Sequence, residues 1–340
     1  ALPEAIQDIS WNLSINSPDS ILQNIGIDLQ DFRFKVLDNQ TKGSMKVAGL
    51  KIMDVDADLT TDFDLAQIEK FYPLDSGIVL NGKLKMDVKA IGSYEPDKKL
   101  FPIINSQISV SEGFMKTPYS DQAIENISFV LNILSEKGSY NDLKIDLQPI
   151  AFTFAGNPFS LKANVENLDD IKYEVQSQGR IDLGKLYQTF GVDGYELDGY
   201  LITDINLKGL QSDATKGRLQ QLENRGTIEM EKIRIRSDLF PLPFDIHSGK
   251  IRVDKDKLFL EKLHAQYAEN TLIADGYLFN LIAYYADEDA PVKGNLTLSS
   301  QKLNLNDFMF YSEDGAVEVD TLGSVQGVVM IPPNVDFSLV

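Results

Sequence analysis

Apolar and polar residues alternate with a period of two along most of the sequence. Between Leu80 and Gly92, apolar side chains at Leu84, Met86 and Val88 alternate with lysine and aspartate. This pattern is typical of an antiparallel strand with one buried face and one face in water. The same alternation recurs in residues 127–133, 143–147, 159–165, 201–207, 251–253, 272–278 and 296–298. We therefore predict a mainly β chain.

One of these strands changes phase partway along its length. Ile228 and Met230 occupy even positions, whereas Ile233 and Ile235, which follow them, occupy odd positions. A strand can keep both pairs on one face only if an extra residue is inserted between them. The sequence therefore predicts a β-bulge between Met230 and Ile233.

Three short helical patterns begin with Asp64, Asp182 and Asn304. They are separated by 118 and 122 residues (182 − 64 and 304 − 182). This spacing predicts repeats of ~120 residues. Repeats of this kind are expected to form an elongated array rather than a closed globule. We expect a single continuous β-groove fragment over residues 1–340, an elongated, curved antiparallel sheet with a few short helices. Its approximate repeat units are 1–62 (partial), 63–180, 181–303 and 304–340 (partial).

Composition narrows the possible functions. The chain has 32 Lys+Arg and 51 Asp+Glu, a net charge of −19, which argues against binding nucleic acid. It has no cysteine and two histidines, so disulfides, thiol nucleophiles and three-histidine metal sites are excluded. It contains no G-x-S-x-G, P-loop, H-E-x-x-H or G-x-G-x-x-G motif. We expect no catalytic residues, no metal site and no cofactor.

An aspartate-rich segment resembles the start of a calcium-binding loop. Asp54, Asp56 and Asp58 have the required spacing, but Leu59 stands where the loop needs glycine and Leu65 where it needs glutamate. Apolar residues alternate with the aspartates. The sequence therefore favours the polar face of a strand.

A small basic patch has two interpretations. Lys232, Arg234 and Arg236 lie on one side of a strand whose other side carries Ile233 and Ile235. The patch is a possible contact for anionic headgroups or an acidic partner. The alternative, which the pattern favours, is an edge strand that its charges protect against pairing with another chain.

The repeated apolar face carries most of the functional information. In a β-sandwich a second sheet covers such a face, whereas in a folded-over groove the face can line a channel for lipid acyl chains. Alternation is expected from both arrangements, and the sandwich is the more common. The candidate lining positions are Leu84, Met86, Val88, Phe129, Leu131, Leu201, Ile205, Leu207, Leu296 and Leu298.

The two ends and the hydropathy profile indicate a fragment. The chain begins Ala1-Leu2-Pro3 without a methionine or a signal sequence, and it stops within an alternating segment at Val340. No segment approaches the ~20 apolar residues that span a bilayer. We expect an internal piece of a longer protein, separated from any membrane anchor.

Several stretches resemble the periplasmic region of bacterial AsmA-family proteins. They are residues 152–163 (FTFAGNPFSLKA), 165–170, 179–183, 197–201 (LDGYL) and 294–306 (GNLTLSSQKLNLN). The similarity covers about residues 45–340 and rests on loosely spaced Gly, Leu and Asp.

The resemblance implies a periplasmic, non-enzymatic β-rich body with an inner-membrane anchor that this chain lacks. Members of the family are similar in architecture to TamB and to eukaryotic bridge-like lipid transfer proteins, in which a taco-shaped groove has an apolar interior. The implied role is phospholipid transport between the inner and outer membranes in outer-membrane biogenesis. The alternative is a scaffold for outer-membrane protein assembly with a dry sandwich core, in contact with assembly components.

Overall fold

A computed structural model describes residues 7–17, 19, 21, 24–36, 39–70, 74, 76–190, 196–237, 240–286, 290–304, 307 and 335–339. The chain divides into two compact units, residues 1–178 and 179–340. The predicted repeat boundaries stay a prediction. In each unit the strands form a curved, unclosed sheet with a few short helices, so the predicted mainly β, antiparallel fold is confirmed.

The first unit is a meander in which successive strands pair antiparallel. β1 pairs with β2, β2 with β3, and so on to β9. The strands are β1 (Gln7–Asn16), β2 (Gly26–Val36), β3 (Asn39–Ala48), β4 (Met53–Asp64), β5 (Val79–Tyr94), β6 (Ile103–Lys116), β7 (Ile124–Ser135), β8 (Lys144–Phe154) and β9 (Asn157–Glu166). β10 (Lys172–Asp182) crosses the boundary between the units.

The second unit repeats this arrangement. Antiparallel pairing runs from β11 to β16, and β17 pairs parallel with β16. The strands are β11 (Glu196–Leu210), β12 (Arg225–Ser237), β13 (Phe240–Asp254), β14 (Lys257–Tyr267), β15 (Asn270–Phe279), β16 (Val292–Ser299) and β17 (Val335–Leu339).

Two of the three predicted helices lie within the described residues. Leu65–Lys70 forms a 3₁₀ helix, and the Asp64 carboxylate accepts the backbone N–H of Ala66 at 3.0 Å. Leu183–Phe190 forms α1, and the Asp182 carboxylate accepts the N–H of Lys185 at 3.0 Å. An N-terminal aspartate is expected here because it satisfies amides that have no partner within the helix.

The third predicted helix, residues 304–310, lies mostly outside the described residues. The alternation pattern missed α2 (Gln211–Thr215), α3 (Leu281–Ala286) and the 3₁₀ turns Pro96–Lys98 and Leu219–Gln221. Each is shorter than two turns, too short for a helical period to be visible in the sequence.

A buried asparagine fastens the segment after a strand in both units. Asn39 is 3% exposed; its side-chain oxygen accepts the Asp64 N–H at 2.6 Å, and its NH₂ donates to Gln67 at 2.9 Å. Asn270 is fully buried, accepts the N–H of Asn304 and donates to Asp307 at 2.8 Å. In both cases the asparagine accepts one backbone N–H and donates to the side chain three positions later. The two segments at Asp64 and Asn304 are thus held by the same pair of asparagine hydrogen bonds.

β-bulges interrupt neighbouring strands of both sheets. The bulge predicted between Met230 and Ile233 is confirmed: Lys232 has a φ of 52°, opposite a register shift at Gly199 on β11. In the first unit, register shifts fall on adjacent strands at Gly82, near Gly113 and between Glu125 and Ser128. An extra residue bends its strand and increases the local twist, so rows of bulges account for the curvature of the sheets.

The β7–β8 turn is organised around one carboxylate. Asp142 accepts the backbone N–H groups of Glu136 at 2.8 Å, Lys137 at 2.5 Å and Ser139 at 3.1 Å, as well as the Ser135 hydroxyl at 3.0 Å. Partial burial raises the pKa of Asp142, but the hydrogen bonds outweigh burial and hold the pKa at about 2. The ionised carboxylate therefore holds this turn together.

Stability should depend on pH through Asp142. Its pKa lies below the unfolded value of about 3.9, so its contribution is complete above that value and is lost as the pH falls towards about 2. We expect urea denaturation to show a clear destabilisation by Asp142→Asn near neutral pH that shrinks as the pH falls through this window. A destabilisation that does not change with pH would contradict this role.

Candidate functional site

A continuous apolar face covers one side of the first unit. The strand register places apolar residues opposite one another from strand to strand, as one row across seven strands shows: Thr41, Thr61, Met86, Ile108, Leu131, Leu147 and Ala163. The adjacent row is Leu59, Val88, Ser106, Ile133, Ile145 and Val165. We call this surface the first apolar face. It bears no charged side chain in either row.

The second unit has an equivalent surface, the second apolar face. One of its rows contains Thr203, Ile228, Ile251, Leu260, Gly276 and Leu296, and the next contains Ile205, Gly226, Val253, Leu258, Leu278 and Gly294. Glycines occupy several positions here because the neighbouring backbone approaches closely. An added Cβ at Gly226 would clash with the backbone of Asp204.

The ten candidate lining residues all lie on these two faces. Leu84, Met86, Val88, Phe129 and Leu131 belong to the first face. Leu201, Ile205, Leu207, Leu296 and Leu298 belong to the second. The structure therefore brings each group of five onto one surface of its own unit.

The candidate lining residues of both apolar faces stay partly exposed in the described structure. None of the ten candidate residues is buried, and Leu298 is 40% exposed. A dry sandwich core would bury these positions, so their partial exposure favours an open face.

Part of the first apolar face was not predicted from the sequence. β1 presents Ile9, Trp11, Leu13 and Ile15, which are 53–67% exposed. Leu13 and Ile15 lie opposite Leu29 and Ile27 on β2, so this stripe continues the face. The signal was present in the sequence as ISWNLSI, where every second residue is large and apolar.

The opposite side of the first unit is polar. Lys83, Lys85, Asp87 and Lys89 of β5 point to this side, and Lys85 forms an ion pair of 3.4 Å with Asp62. Asp54, Asp56 and Asp58 are exposed here, and Asp58 lies opposite Lys89. The interpretation of these aspartates as the polar face of a strand is confirmed. Among the described residues, no group of three or more acidic or histidine side chains could hold a metal ion.

The two arginines of the basic patch form ion pairs, and the patch does not lie on an edge strand. Arg234 donates two hydrogen bonds to Asp245, at 2.7 and 3.0 Å, and Arg236 donates to Glu196 at 3.0 Å. β12 pairs with β11 on one side and with β13 on the other, so the edge-strand interpretation is wrong. Lys232 is exposed at the bulge. A headgroup would have to compete with Asp245 and Glu196 for both arginines.

One carboxylate is buried in the second unit. Asp256 is 6% exposed, and burial raises its pKa although the N–H groups of Asn280 and Ile282 act in the opposite direction. The Asn280 N–H donates to the Asp256 carboxylate at 2.8 Å. Asp256 thereby connects the β13–β14 turn to the start of α3.

None of the helices in the described segments is both long and apolar enough to cross a membrane. The candidate site thus consists of two partly exposed apolar sheet faces, each with a polar, ion-paired reverse side in its own unit. No protein-family model, curated protein or solved structure matches the chain.

Proposed function

We propose that the chain is a lipid-binding segment of an AsmA-like envelope protein and that its apolar faces hold phospholipid acyl chains during transport between the inner and outer membranes. The observation that carries the proposal is the first apolar face. It extends through paired strands from β1 to β9, and its candidate lining residues are all partly exposed.

The physical chemistry of the face suits an acyl chain. Each CH₂ group removed from water contributes about 0.8 kcal/mol, so even partial shielding of a long chain is favourable. The rows are aliphatic, with Ser106 and threonines as their polar members, and they offer no charge that would fix a headgroup at one place. Successive rows are therefore nearly equivalent binding positions, and a lipid can move from one to the next without a large barrier.

The polar reverse side supports the same assignment. Its lysines and aspartates form cross-strand pairs such as Lys85–Asp62 and keep that side in water. Only one side of each sheet is then available to an apolar ligand. The periplasmic location and the inner-membrane anchor remain part of the proposal and rest on the AsmA resemblance.

Native mass spectrometry of the chain purified without detergent tests the proposal. We expect protein ions that carry additional masses of phospholipid, together with phospholipid in an organic extract of the same sample. A single bare protein mass, with no lipid in the extract and no uptake of a fluorescent phospholipid, would contradict it.

A further inference from the structure

The first strand forms an open edge of the unclosed sheet in the first unit. Within the described part of that unit, β1 pairs with β2 alone. Every residue from Trp11 to Asn16 is exposed, whereas each strand from β2 to β9 has half-buried positions. The outer edge of β1 therefore offers unpaired backbone N–H and C=O groups to a further strand.

The regular part of this edge lacks the usual protection against another chain. One register shift inserts a residue into β1 before Ser10 and the next inserts one into β2, so β1 runs regularly from Ser10 to Asn16. These seven residues include no charged residue and no proline, which are the residues that commonly protect an open edge. Instead they present Trp11, Leu13 and Ile15, which are 67%, 55% and 62% exposed.

The order of residues in β1 has the same polarity in both directions from Asn12. If two copies of β1 lie antiparallel with Asn12 opposite itself, Trp11 lies opposite Leu13. The flanking positions match in the same way, with Ser10 opposite Ser14 and Ile9 opposite Ile15. Apolar cross-strand pairs stabilise a sheet, and no like charges oppose each other here. A second copy of this chain thus supplies a complementary strand by symmetry alone.

The symmetry of this pairing also keeps the two sides of the sheet separate. Two identical strands that pair antiparallel are related by a two-fold axis perpendicular to the sheet, and this axis maps each side of the sheet onto itself. The apolar stripe of β1 continues the first apolar face, because Leu13 and Ile15 lie opposite Leu29 and Ile27 of β2. Pairing of two copies therefore joins their first apolar faces into one surface.

We propose that β1 is a dimerisation strand, which pairs antiparallel with β1 of a second copy of this chain in a register centred on Asn12. Backbone hydrogen bonds between the two edges and the burial of the exposed apolar side chains stabilise the dimer. The inference rests on the exposure and residue order of β1 and does not depend on lipid binding.

Sedimentation velocity and fluorescence of the full chain test the dimer together. Trp11 is the only tryptophan in the chain, so its emission reports on β1 alone. We expect a monomer–dimer equilibrium, with Trp11 emission shifting to shorter wavelength over the same concentration range. A chain that remains monomeric, or that dimerises without a change in Trp11 emission, would overturn the proposal.

A lysine substitution at the centre of the pairing tests the register. In the proposed dimer the two copies of position 12 lie about 5 Å apart, so Asn12→Lys places two amines beside each other. We expect its dimer to dissociate at least about tenfold more readily. Asn12 and Ser14 are both exposed in the chain, so neither substitution should unfold it.

Ser14→Lys is the matched control on the same strand and the same side of the sheet. Position 14 lies opposite Ser10 of the second copy, and the two substituted positions are about 13 Å apart, where salt screens their repulsion. This variant should dimerise nearly as the parent does. Equal weakening by Asn12→Lys and Ser14→Lys would reject the register and with it the proposal.

Mixing two variants of opposite charge provides the strictest test. Asn12→Asp should be monomeric for the same reason as Asn12→Lys, and an equimolar mixture of the two should form a heterodimer, because an amine now lies opposite a carboxylate. Failure of the mixture to associate would contradict a two-fold pairing at Asn12. Association that grows beyond a dimer would also contradict it, since head-to-tail contacts of another surface do not close.

Discussion

Replacing Val88 by aspartate should remove most of the bound phospholipid while the protein stays folded. Val88 lies between Leu59 and Ser106 in a row of the first apolar face, and its side chain is only half-buried. Because the Val88 side chain is partly exposed, the new carboxylate can keep contact with water, and we expect only a modest loss of stability. An acyl chain that crosses this row must either remove water from the new carboxylate or leave a gap beside it. Either outcome costs several kcal/mol of binding free energy.

The lipid bound per protein should therefore fall at least about tenfold, since each 1.4 kcal/mol corresponds to a factor of ten. Phospholipid extraction and circular dichroism, measured on the same sample, check both parts of the prediction. The same result is expected for Ile205→Asp on the second apolar face.

Ser109→Asp is the matched control for Val88→Asp. Ser109 lies on the neighbouring strand but on the polar side, opposite Lys85. The added carboxylate should leave the lipid content unchanged. If Val88→Asp unfolded the protein, the row would belong to a dry core, and the lipid-binding account of this face would be wrong.

Replacing Gly199 by alanine should strongly destabilise the second unit. Gly199 has a φ of 97°, and an added Cβ would clash with the backbone carbonyl of Lys232 in the opposing bulge. The strained backbone and the clash together should lower the free energy of unfolding by about 2–4 kcal/mol. Urea denaturation followed by far-ultraviolet circular dichroism measures this loss.

Gly217→Ala separates the clash from the backbone strain. Gly217 also has a left-handed φ, of 70°, but an added Cβ there would meet no atom within 4 Å. Its cost should be only about 1 kcal/mol. Equal losses from the two substitutions would show that the paired bulge at Gly199 and Lys232 is not a tightly packed element.

The local features of the fold were predictable because they depend on neighbouring residues. A period of two identifies the strands, and the phase change after Met230 located the bulge at Lys232. Asp64 and Asp182 marked helix starts because a carboxylate caps amides within the next three residues.

Features that depend on distant residues were not predictable. Asn39 holds Asp64 across 25 positions, and Arg236 pairs with Glu196 across 40. The pairing partners of β12 were unknown, so its charges suggested an edge strand. Alternation also looks the same whether or not a second sheet covers the apolar face, and only the structure shows that the candidate lining residues stay partly exposed.

Site-specific photo-crosslinking tests the central claim most directly. A p-benzoylphenylalanine is placed at Val88, on the first apolar face, and in a separate protein at Lys89, the next residue on the polar side. After irradiation in cells, we expect phospholipid adducts at position 88 and none at position 89. Adducts at both positions alike, or at neither, would contradict an apolar face that holds lipid.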